Sequence, residues 1–127
     1  MNHNQYASKA YSQVSLESSV MGASPHQLIT MLFEGAHASL LRAKIAAETG
    51  NVALRGKELS RAINIIGNGL QSVLDHERGG TVSAELDRLY SYMIQSLLKA
   101  NLDNDIALIV HIDRVLLNIT DAWKQIG

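Results

Sequence analysis

Glu34 and His37 stand three residues apart. This is the Glu-x-x-His arrangement that helical bundles use to supply ligands to a dinuclear metal centre. Such a centre needs a second copy of the pair and two more inward carboxylates. The chain has no second copy, and Glu34 and His37 point away from the apolar side of their own segment. A metal is therefore not expected. His111 has Arg114 three residues on, which raises the chemistry of a phosphate-accepting histidine. The His-x-x-Lys-Gly pattern of histidine phosphotransfer domains is missing, and a solvated helix residue is the simpler account. Gly67-Asn68-Gly69 lacks the spacing and the preceding strand of a phosphate-binding loop. There is no cysteine, which removes thiolate nucleophiles, thiolate metal sites and disulfides. No serine sits in a nucleophile elbow. No catalytic residue and no cofactor is expected, and binding is left as the chemistry to explain.

The elements that would position a binding surface follow from composition and period. With 46% apolar and 18% charged residues, the 127-residue chain reads as one folded domain. Eleven basic against twelve acidic side chains give a net charge of −1, which offers no electrostatic footprint for nucleic acid or an anionic membrane. Residues 1–8 are polar and lack the apolar stretch of a signal peptide. The longest apolar run, 106–110, is too short to span a bilayer.

Ser24-Pro25-His26-Gln27 reads as a capping box that opens a first helix running to about Thr49. Its expected core face is Leu28, Ile29, Leu32, Phe33, Ala36, Leu40, Ala43 and Ala47. A second helix is expected over 52–78, with Leu59, Ala62, Ile63, Ile66, Leu70, Val73 and Leu74 inside and Gly79-Gly80 as its stop. Two glycines within it, Gly67 and Gly69, signal either close helix packing or a soft point. A third helix starts after Thr81 or Ser83 and ends near Asn101, burying Leu86, Leu89, Tyr90, Met93, Leu97 and Ala100. A fourth spans 104–125 and buries Leu108, Ile109, Ile112, Val115, Leu116, Ile119, Trp123 and Ile126. The fold class is all-α: an antiparallel up-down four-helix bundle over 24–127. Residues 1–23 are polar but carry Tyr6 and Tyr11. They read either as a frayed tail or as a detachable cap over apolar surface, and the paired tyrosines favour the cap.

The last helix has more apolar surface than a monomeric bundle needs. Ile106, Val110 and Leu117 lie together on a second side, away from its core face. The third helix has a similar surplus in Ile94 and Leu98. The two stripes either converge on one groove or diverge to opposite sides, depending on the handedness of the bundle. An amphipathic partner segment would cover such surface, and Ile94, Leu98, Ile106, Val110 and Leu117 are the expected contacts. A homodimer interface is the structural rival.

The same residues carry a resemblance in order along nearly the whole chain. It begins with Tyr6 and Tyr11 and continues through Ala23-Ser24-Pro25-His26-Gln27-Leu28-Ile29 and Met31-Leu32-Phe33-Glu34-Gly35-Ala36. It goes on through Arg61-Ala62-Ile63-Asn64-Ile65-Ile66, Leu70, Leu74-Asp75, Gly79-Gly80, Leu86 and Leu89-Tyr90. Tyr92, Ala100-Asn101, Asn104-Asp105 and Ala122-Trp123 complete it. In this the chain resembles the flagellin-specific export chaperones known as FliS. It departs where the family often has tyrosine then aspartate in place of Phe33-Glu34, aspartate in place of Ser91, and helix formers in place of Gly67 and Gly69. The resemblance implies a bacterial cytoplasmic chaperone that binds the disordered C-terminal segment of flagellin. It implies that this segment is kept from premature polymerisation and delivered to the flagellar export gate. It also implies that the client wraps the bundle, and that the N-terminal piece, with Tyr6 and Tyr11, covers part of the surface until the client displaces it.

Overall fold

The computed structural model describes residues 20–127, and no strand occurs among them. Helix α1 (Pro25–Glu48) begins as read. The Ser24 hydroxyl accepts from the Gln27 amide at 3.1 Å, and the Gln27 side chain accepts from the Ser24 amide at 2.8 Å. These two bonds satisfy donors that a helix start leaves open, and Pro25 adds a preset φ. Phe33, Ala36, Leu40, Ala43 and Ala47 are buried as expected, with Ser39 and Ala46 beside them.

The second segment departs from its expected span of 52–78. Helix α2 (Val52–Asn64) is capped by Asn51, whose side chain accepts from the Leu54 amide at 3.1 Å. It then widens into a π-helix over Ile65–Gln71 and ends there. The Ser72 amide donates to the Gly67 carbonyl at 3.1 Å, the five-residue spacing of a π-turn. Gly67 and Gly69 sit in this stretch and let neighbours in. A Cβ on Gly67 would lie 3.3 Å from Ile94, and one on Gly69 3.3 Å from Leu32. Both glycine readings therefore hold at once: close packing on two sides and a weakened α-helix.

Asp75 starts the next helix, accepting from the Arg78 amide at 3.0 Å. Helix α3 (His76–Asp103) thus includes Gly79-Gly80, which kink it instead of ending α2. Gly80 has φ 51° and ψ −125°, which a side chain would oppose. Asn104, left-handed at φ 51°, turns the chain into α4 (Ile106–Ile126), whose first turn is capped by Asp105.

Cross-helix pairs give the arrangement. Arg42 meets Glu58 at one end of α1/α2, and Leu32 meets Gly69 at the other. Arg55 meets Asn101, and Gln71 meets Asp87, between α2 and α3. His26 meets Trp123, and His37 meets Asp113, between α1 and α4. Each pairing runs in opposite directions along its two helices, so α1 has α2 and α4 as neighbours and α3 lies diagonally across. The core is one cluster through all four helices, centred on Phe33, Leu40, Leu59, Ile66, Met93, Leu97, Ile112 and Leu116. None of the described helices is long and apolar enough to cross a membrane.

Polar clamps close the end where α1 hands over to α2. Buried Arg55 donates to the Asn101 side chain at 3.1 Å, the Asn101 carbonyl at 2.9 Å and the Asn104 side chain at 2.6 Å. It thereby holds the α3–α4 turn. Glu58, with its side chain 5% exposed, accepts from Arg42 at 2.9 Å and faces Arg61 at 3.8 Å. Burial pushes its carboxyl up, but the Arg42 hydrogen bond and the Arg42 and Arg61 charges outweigh that and hold it below 4.5. The lowered carboxyl contributes stability that is fully present above the ordinary value and is lost as pH falls through the folded value. Glu58→Gln is therefore expected to flatten the acid limb of stability below about pH 4.5 and to cost stability at neutral pH. Urea unfolding at a series of pH values reads this, and identical acid limbs in both proteins would contradict it.

Candidate binding surfaces

The opposite end of the bundle is open. Because α2 stops at Gln71, it does not reach the first turn of α1, which has only the end of α4 beside it. Leu28, expected in the core, is exposed for this reason. Val73, also expected inside, lies in the turn after the π-helix and is exposed, as is Ile126 at the end of α4. What results is a cleft of about 570 Å³. Ile29 and Phe33 of α1 and Leu70, Val73 and Leu74 of the α2 end form one side. Val82, Leu86, Leu89 and Tyr90 of α3 form the second, and Ile119, Trp123 and Ile126 of α4 the third. The charged residues on it are Asp75 and Glu85. Burial pushes the Tyr90 hydroxyl up to about 12, so this phenol stays neutral at any ordinary pH. A volume of this order matches the clefts that take a few large side chains or a small ligand.

The two surplus stripes diverge. At 100° per residue, Ile106, Val110 and Leu117 lie within about 60° of Asp113 and Lys124. Asp113 accepts from His37 Nδ1 at 2.6 Å, and Lys124 reaches Glu34 at 3.9 Å, so this side of α4 faces α1. Leu41 and Ile45 follow His37 at successive turns of α1 and are exposed on the same face. The antiparallel register sets them beside Val110 and Ile106. Ile94, in contrast, packs toward Gly67 of the π-helix, and Leu98, one turn on, is 52% exposed on that α2/α3 face. Ile94 and Ile106 are partly buried against the core, whereas Leu98 and Leu117 are exposed. The five residues therefore form two surfaces on opposite sides of the bundle, with the end cleft between them. Tyr6 and Tyr11 lie outside the described residues.

Glu34 and His37, the pair with metal-ligand spacing, are spent on two separate contacts with α4. His111 and Arg114 are exposed. Sequence reasoning missed the cleft and the contact between His26 and Trp123 on its rim. The signal present for the cleft was Asp75, an acceptable helix cap well before Gly79-Gly80.

Adjacent residues on α4 should separate core from surface. Leu116 is fully buried, while Leu117 is 38% exposed. Leu116→Ala is expected to cost about 2–5 kcal/mol, and Leu117→Ala less than about 1 kcal/mol. Denaturant titration of both variants checks this, and equal losses would contradict the assignment of the two faces.

Comparison with known proteins bears on what such surfaces serve. The family model described as "Flagellar protein FliS" matches residues 7–127. The chain is 56% identical over 119 residues to a flagellar secretion chaperone FliS of Salmonella typhimurium, covering 94% of this chain and 88% of the relative. It is 46% identical over 123 residues to the protein of that name in Escherichia coli, covering 94% and 90%. It is 31% identical over 109 residues to the one in Bacillus subtilis, covering 86% and 80%. A helical bundle, a family match over residues 7–127 and relatives this similar agree: the chain belongs to the FliS family of flagellar proteins.

Proposed function

We propose that this protein is a cytoplasmic flagellar secretion chaperone whose client is the disordered C-terminal segment of flagellin. The single observation that carries the reading is the apolar end cleft, flanked by exposed apolar stripes on opposite faces. An apolar concave surface rimmed by polar residues is the kind of surface that a partner covers. A small folded partner would cover one face. A long unfolded one can lie along the α2/α3 face, cross the cleft and return along the α1/α4 face. The names of the relatives supply the class of client, a protein exported by the flagellar secretion system. Covering the segment would keep it from polymerising before export, and handing it to the export gate completes the task.

In this reading residues 1–23 act as a cap. The first turn of α1, which they precede, borders the cleft through Ile29. Tyr6 and Tyr11 would occupy apolar surface in the free protein and give way to flagellin. Such a cover keeps the free protein from aggregating, and the client must outcompete it, which lowers the apparent affinity by the fraction of protein that is capped.

Calorimetry with the C-terminal segment of the flagellin from the same organism tests the reading. Tight one-to-one binding with a strongly negative heat-capacity change is expected, because apolar burial and coupled folding both produce it. Leu98→Asp and Leu117→Asp, on opposite faces, should each weaken binding about tenfold or more while helix content stays unchanged. Absence of binding, with self-association on concentration, would replace this reading with a homodimer. Loss of affinity in only one of the two variants would replace a wrapped client with a single-groove one.

A further inference from the structure

The Ser24-Pro25-His26 start of α1 and the Trp123 near the end of α4 meet across the rim of the cleft. Their rings stack with centroids 4.5 Å apart and planes 9° from parallel. His26 Nε2–H donates to the Trp123 carbonyl at 2.8 Å, and Trp123 Nε1–H donates to the His26 carbonyl at 3.2 Å. Gly127 lies against the same imidazole, where an added Cβ would overlap Cε1, Nδ1 and Nε2. Trp123 lines the cleft and His26 does not.

We infer that His26 is a positioning residue that holds the Trp123 indole as a fixed wall of the cleft, so that an occupant meets a preset aromatic surface. The inference rests on the reading of the end cleft as client-binding surface. A tryptophan in the last turns of a terminal helix loses little by swinging on its two side-chain torsions. Here the stack fixes the plane of the ring, and the two reciprocal bonds fix its height along α1. The capping box and Pro25 in turn fix the backbone from which His26 projects. Large rigid aromatics are the side chains that most often dominate binding energy, and ordering them beforehand removes a cost from association. The clasp therefore makes the first turn of α1 a contributor to affinity without its touching the client.

Trp123 is the only tryptophan, so its fluorescence reports on this site alone. The test compares four full-length proteins, the wild type, His26→Ala, His26→Phe and Ser24→Ala, each titrated with the flagellin C-terminal segment. Wild-type Trp123 emission should shift on binding. His26→Ala should weaken affinity roughly three- to tenfold, the worth of a stacked aromatic pair, and raise acrylamide quenching of the free protein. His26→Phe, which keeps a ring for the stack, should recover most of both. Ser24→Ala, which removes the helix cap but leaves both rings and the Trp123 bonds of the clasp, should lower thermal stability and should weaken affinity and raise quenching less than His26→Ala does. Wild-type affinity in His26→Ala, or an equal loss in Ser24→Ala, would overturn the inference. So would wild-type binding without any change in Trp123 emission, since the client would then dock elsewhere. No binding by the wild type would overturn the reading of the cleft and the inference with it.

Discussion

The second helix is too short for the bundle it belongs to, and most of the surface described above follows from that. Seven residues are wound as a π-helix around Gly67 and Gly69, and the helix stops at Gln71. Its partners run on past it. Leu28 loses the neighbour that would bury it, Val73 is left in a turn, and an apolar cleft opens where a longer helix would fill the core. The other end is built in the opposite way. There Arg55 is buried in three hydrogen bonds, and Glu58 is held by a hydrogen bond from Arg42 with the Arg61 charge beside it. Breaking either network would strand a buried charge, which costs far more than the network gains when intact. The bundle is locked at one end so that it can stay open at the other.

An unfilled core end is a standing cost in stability, because apolar side chains meet water and lose packing partners. Such a cost persists in a folded protein when something else covers the surface. The divergence of the two stripes narrows what that cover can be. Ile94 and Leu98 face the α2 side, whereas Val110 and Leu117 face the α1 side, and the cleft lies between. One compact partner cannot touch all three. An unfolded chain can, and a protein of the FliS family has such a chain as its proposed client. Recognition spread over several shallow surfaces also suits release, since no single contact holds the whole client.

Helix type and core face were legible where the apolar period was long and unbroken. Phe33, Leu40, Leu59, Met93, Leu97 and Leu116 lie where a 3.6-residue period puts them. The capping box at Ser24 was legible too, because its chemistry is local. The end of α2 was not. Gly79-Gly80 looked like the stop, but helix ending was decided earlier by the π-turn and by Asp75, whose carboxylate caps the next helix. A period of 100° per residue also misplaces residues after a π-turn, which is why Val73 was assigned to the core. Of the five residues read as off-core, Leu98 and Leu117 are exposed while Ile94 and Ile106 pack partly against the core, and their division between two faces depends on bundle handedness, which no local pattern encodes. The stack of His26 on Trp123 joins residues at opposite ends of the chain, and only the fold brings them together.

The central claim is that the open end is the functional surface. Methyl NMR of the full-length protein, with and without the flagellin C-terminal segment, tests it most directly. The account predicts intermolecular contacts to the methyls of Val73, Val82 and Ile126 in the cleft, along with Leu98 and Leu117 on the two faces. Contacts confined to Leu41 and Ile45, with the cleft methyls unmoved, would contradict it.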